Sequence, residues 1–226
     1  MKRVVLALLL VSAPATATAA DKQLAEAFHA AFGKDGSAVF KKQGQLKENV
    51  TYTPGELVST SFGTVLISPG EVADATHVNF GKVAIVYLKP SAKGFDVVQK
   101  FVPAAEAGSF GKIVDWSVSR SFGDLPVVSV NGAGNWQGHS CSSTTLLELT
   151  PTGPRHLATL PMTYDDSVAV GANGNYTQIN GRIDNIQPGK SFDVVYFGSK
   201  EFTEHYVRKD NVYVLSTGGA SRVQRC

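Results

Sequence analysis

The stretch GNWQGHSCSSTTLLEL, Gly134–Leu149, admits two architectures. Within it, Gly138-His139-Ser140-Cys141-Ser142 stands one residue short of the G-x-S-x-G of serine hydrolases. As a nucleophile elbow it demands a strand that turns sharply into a helix, exposing the serine beside backbone N–H groups. As β-structure it makes Ser140 a turn or strand residue and Cys141 half of a disulfide. The neighbours favour β-structure. Residues Ser143 to Thr150 alternate or run apolar as a strand does, then meet Pro151. Upstream, PVVSV (126–130) reads as a strand, while NGAGNWQG (131–138) reads as a separate loop between that strand and the serine.

The rest of the chain agrees with the second reading. Runs such as TVLIS, VAIVYL, FDVVQKF, FDVVYF and VYVL are short and rich in β-branched and aromatic residues. Clusters of Gly, Pro, Asn and Asp bound them, which is the pattern of strands and hairpins. Helical spacing is confined to Leu24, Ala27, Phe28, Ala31 and Phe32, with Asp21 placed to start the helix and Gly33 to end it. PAAEAG (103–108) offers one more helical turn. The expected fold is mainly β: an N-terminal helix followed by antiparallel sheets, sandwich-like or barrel-like, in one body or two packed lobes. The string Lys-x-Phe-Asp-Val-Val occurs at 93–98 and again at 190–195, which leaves open a duplicated hairpin.

The first twenty residues read as a cleaved signal peptide. Lys2 and Arg3 precede an apolar run from Val4 to Val11, and small residues at 17–20 place cleavage near Ala19 or Ala20. That apolar run is about half the length needed to span a bilayer, so no integral membrane anchor is expected. The chain thus divides into a signal at 1–20, a helix and hairpin lobe at 21–108, and a β-rich lobe at 109–226. An oxidising compartment, periplasmic or extracellular, favours joining Cys141 to Cys226, the two cysteines of the chain.

Composition bounds the partners. The chain holds 21 Lys and Arg against 19 Asp and Glu, and the expected signal carries two of the bases, which leaves the signs balanced. Nothing in that balance attracts nucleic acid or anionic lipid. No metal-ligand spacing joins His139 and Cys141, and no phosphate loop or paired-carboxylate motif is visible, so neither metal nor cofactor is expected. Ser140 acquires a formal triad with Asp193 and His205, in hydrolase order. Any chain of this length offers such candidates. The expected function is therefore non-enzymatic: binding of an envelope protein or glycan, with inhibition of a lytic enzyme as one form, and a Ser140 hydrolase as the alternative. Trp136, Gln137 and His139 are the candidate binding residues. Trp136 either packs against the disulfide, as aromatics do in β-sandwich cores, or stands exposed to a ligand. The sequence favours the former.

Overall fold

The structure is a computed structural model that describes residues 18–40, 48–171 and 174–226. The expected signal, up to residue 17, lies outside the described residues. Helix α1 (Ala19–Phe32) leads into a six-stranded antiparallel sheet, β1 (Ser37–Phe40) to β6 (Gly94–Ala107), ordered β1-β2-β4-β5-β6 with β3 (Glu56–Thr60) on β4. Between these lie β2 (Glu48–Tyr52), β4 (Gly63–Val72) and β5 (Gly81–Ser91). An eight-stranded antiparallel meander follows. It comprises β7 (Asp115–Ser119), β8 (Val127–Trp136), β9 (His139–Thr150), β10 (Gly153–Asp165), β11 (Gln178–Gln187), β12 (Ser191–Gly198), β13 (Phe202–Lys209) and β14 (Val212–Leu215), each paired with its chain neighbour.

Helix α1 starts two residues earlier than the sequence suggests. Thr18 is the N-cap, and Asp21 completes a capping box as its third residue. Gly33 ends it at φ 72°, and Lys100 of β6 donates to the Ala31 carbonyl at 2.5 Å while lying over the Phe32 ring. Burial holds the Lys100 ammonium below its ordinary value.

VAIVYL in β5 is buried without a break because both faces of the first sheet are covered. Ala84, Val86 and Leu88 join Ala27, Phe28 and Leu66 under the helix. Val83, Ile85 and Tyr87 join Val128, Val130, Leu147 and Leu149 between the two sheets. Leu146 points the other way, into a third cluster with Phe192, Val194, Tyr196 and Tyr206. That third cluster fills the concave side of the second sheet, which curls into a half-barrel until β14 approaches β10.

The C-terminal segment fastens this curl. The buried Glu204 carboxylate accepts from Ser221 Oγ, Arg222 N and Tyr206 OH. Arg222 lies 3.9 Å over the Phe202 ring, Val223 enters the core, and Arg225 donates to the Thr159 carbonyl. Cys226 then bonds to Cys141 of β9, with Cα atoms 5.8 Å apart. The disulfide expected from sequence is present.

Two local expectations are overturned. NGAGNWQG is not a loop: β8 runs through to Trp136, and Gln137-Gly138 alone make the turn. Both turn residues have positive φ, 49° and 84°, the signature of a type I′ hairpin. PAAEAG is not helical, because Ala105, Glu106 and Ala107 pair with Val83, Lys82 and Gly81 of β5. Ladder pairing outweighs a helix preference of a few tenths of a kcal/mol per residue.

Two predictions follow from the core. The disulfide closes a loop of 85 residues, worth roughly 4–5 kcal/mol in the loop-entropy model. Reduction, or the Cys141→Ala/Cys226→Ala pair, should lower the melting temperature by on the order of 10 °C, measured by calorimetry. Burial also pushes the Tyr87 phenol up to about 12 and raises Tyr52, Tyr196 and Tyr206. Their folded values exceed an unfolded value near 10, so their contribution is complete below about pH 10 and is lost as pH rises above it, through about 12 for Tyr87 and higher for the other three. Alkaline titration should show phenolate absorbance appearing together with the loss of β circular dichroism.

Candidate functional site

Where the inter-sheet core ends, the face of β8 and β9 continues with Gly132, Gly134, Ser143 and Cys141 instead of large apolar residues. A cleft of about 590 Å³ opens there. Ala107, Gly108 and Ser109 form one wall, Thr159 and Pro161 of β10 another, and Gln224 to Cys226 of the fastened C-terminal segment a third. The segment His77–Phe80 and the indole of Trp136 frame it. Its volume falls within the ~300–1,000 Å³ of small-ligand sites.

The aromatic frame is held by polar chemistry. Asn79 accepts from Thr76 N and Oγ1, and its Nδ2 donates to Glu48 Oε1 at 2.8 Å. Glu48 pairs at 2.9 Å with Lys82 Nζ, whose side chain is 1 % exposed and which also pairs with Glu106. A buried ammonium is tolerable because two carboxylates surround it. The Asn79 carbonyl in turn accepts from Gly111 N, which sets Phe110 near His77, ring centroids 6.4 Å apart. Phe110 sits at φ 50°, a left-handed conformation that costs a non-glycine residue about 1 kcal/mol. The ring of His77 lies 5.0 Å from that of Trp136.

Trp136 is 49 % exposed, which corrects its expected burial against the disulfide; Trp116 instead takes the core position between the sheets. Gln137 occupies the turn tip. His139 turns to Tyr164, Nδ1 and the phenol oxygen lying 2.9 Å apart, and that hydroxyl donates to Asp166 at 3.4 Å. Burial and the Asp166 charge raise the Tyr164 phenol.

The three residues of the alternative catalytic reading are not brought together. Ser140 donates to Asn135 Oδ1 at 2.5 Å. His205 pairs with Asp193 at 2.6 Å, on strands β13 and β12. From β9 to β13 is four strand spacings of about 4.8 Å. Moreover, Ser140 is level with Asp165 and Gln178, whereas Asp193 is level with Asp184, six residues further along β11. Asp193 also alternates with buried Phe192 and Val194, so the pair faces outward. Hydrogen bonds from Asn185 and then His205 hold the Asp193 carboxyl below its ordinary value, which is support for a surface hairpin. Among the described residues, no three His, Cys, Asp or Glu side chains cluster as a metal site, and no helix is long and apolar enough to cross a membrane.

Comparison with models of known families, with curated proteins and with solved structures finds no match to this chain. The site must be judged by its own geometry.

The floor makes a direct prediction. A Cβ on Gly132 would lie 2.2 Å from Gly108 N and 2.8 Å from the Ala107 Cβ, whereas one on Gly134 would meet nothing closer than Ser109 at 3.7 Å. Gly132→Ala should therefore destabilise by about 1–3 kcal/mol. Gly134→Ala should be neutral or stabilise by roughly 0.5 kcal/mol. Thermal melts of the two variants compare them directly.

Proposed function

We propose that this chain is an exported, non-catalytic binding protein of the cell envelope or exterior, and that the cleft at Trp136 holds its partner, a protein segment or a glycan. One observation carries the reading: rings of His77, Phe80 and Trp136 stand at the rim of a cleft, with Phe80 and Trp136 42 % and 49 % exposed, at a cost in burial. Large apolar side chains gathered around a concavity with hydroxyl and amide groups are what recognition sites are built from. Disulfide bonding of both cysteines supports an oxidising destination. The hydrolase alternative has less behind it, since the Ser140 hydroxyl is bonded to the Asn135 amide oxygen while His205 pairs with Asp193 on distant strands.

A fluorophosphonate probe separates the two. No stoichiometric labelling is expected; labelling at Ser140 that disappears in Ser140→Ala would put the hydrolase first. Soluble envelope fractions titrated into the protein should quench indole emission in the parent chain and not in Gly134→Val, whose new side chain occupies the cleft floor.

A further inference from the structure

We infer that the ligand of this cleft is an uncharged oligosaccharide, stacked on Trp136 and laid over Gly134 of β8. The inference rests on the cleft being a binding site, and it chooses between the two partner classes that reading leaves open.

A peptide would reach this site most economically by adding a strand to an open sheet edge. The edge in question is that of β8. Its partner β7 stops at the Asp115–Asn131 pair, so from Gly132 to Trp136 β8 has no strand on that side among the described residues. That edge is nevertheless blocked. Val114 N donates to the Asn131 carbonyl, and Ser109 Oγ to the Ala133 carbonyl at 3.0 Å. On the face of the sheet, Gly108 covers Gly132 so closely that a single added methyl would collide with its nitrogen. Two carbonyls of the main-chain ladder that would give a peptide its affinity are thus already taken.

What remains is chemistry suited to sugar hydroxyls and C–H faces. The indole of Trp136 offers a broad half-exposed surface, backed by His77. Beside it stand neutral hydrogen-bonding groups. Asn135 accepts from Ser140 through Oδ1 and keeps its Nδ2 for a ligand, while the side chains of Ser143 and Gln224 make no hydrogen bond among the described residues. Of the charged side chains in the lining, Glu106 pairs with buried Lys82, while Arg225 is solvent-exposed and donates to the Thr159 carbonyl. A neutral, hydroxyl-rich ligand matches such a lining, because every polar group it buries finds a donor or acceptor and no buried charge is left to compensate. Gly134, open above its Cα, lets a flat ring lie against the sheet itself.

The test uses the oxidised full protein and calorimetric titration. Its first arm is a panel of neutral oligosaccharides with β-1,4-, β-1,3- and α-1,4-linked pyranoses; its second, a peptic digest of casein; its third, polygalacturonate fragments. We expect at least one neutral oligosaccharide to bind saturably. Trp136→Ala should weaken it at least about tenfold, the scale of losing one ring-stacking contact. Gly134→Val should abolish it, and both variants should melt with the parent. Sugar binding indifferent to both substitutions overturns the assignment of the site. Binding of the peptide digest or the anionic fragments alone, abolished by Gly134→Val, overturns the neutral-glycan inference while the cleft keeps its role. Silence in all three arms overturns both.

Discussion

The second sheet curls without closing, and its hydrophobic interior would lie open to water along one side were the C-terminal segment not drawn across it. Several weak attachments and one covalent bond do this together. The Glu204 carboxylate gathers the main chain at Arg222, Val223 plugs the core, and the sulfur of Cys226 ties the end to β9. The carboxylate is buried and satisfied by three donors, so it anchors without an uncompensated charge. Once this strap is in place, its outer surface becomes a wall of the cleft. Core closure and the shape of the cleft are thus consequences of one attachment.

The cleft itself is an interruption of packing. Between the sheets, Val128 and Val130 of β8 meet Val83 and Ile85 of β5; two residues on, side chains cease and Gly132 and Gly134 follow. The first glycine is filled by the neighbouring backbone, the second is left open. The two sheets separate there, and the ion cluster of Glu48, Lys82 and Glu106 holds the segment that carries His77 over the gap.

Much of this architecture could be read from residues alone, because its causes are local. Leu24 to Phe32 repeat at helical spacing, VAIVYL is bounded by glycine and proline, and two cysteines have one partner each. The failures have equally definite causes. Glycine and asparagine in NGAGNW look like a loop, yet these glycines serve close backbone approach and free space within a strand. Alanine and glutamate in PAAEAG look helical, yet Glu106 pairs with Lys82 across a ladder. The cleft's aromatic frame left no local motif: His77 and Trp136 come from separate segments and meet only through the fold, their rings 5.0 Å apart. Trp136 alone was singled out, and its half-exposed state became visible only with the fold.

The hairpin tip that presents the indole is itself braced. Gly138 accepts from Ala169 N across the short helical turn 167–170, and a Cβ at Gly138 would strike that same residue. Trp136 is consequently offered on a stiff support instead of a mobile arm. A guest arriving here finds its landing surface already ordered, and little conformational freedom has to be surrendered at the moment of contact.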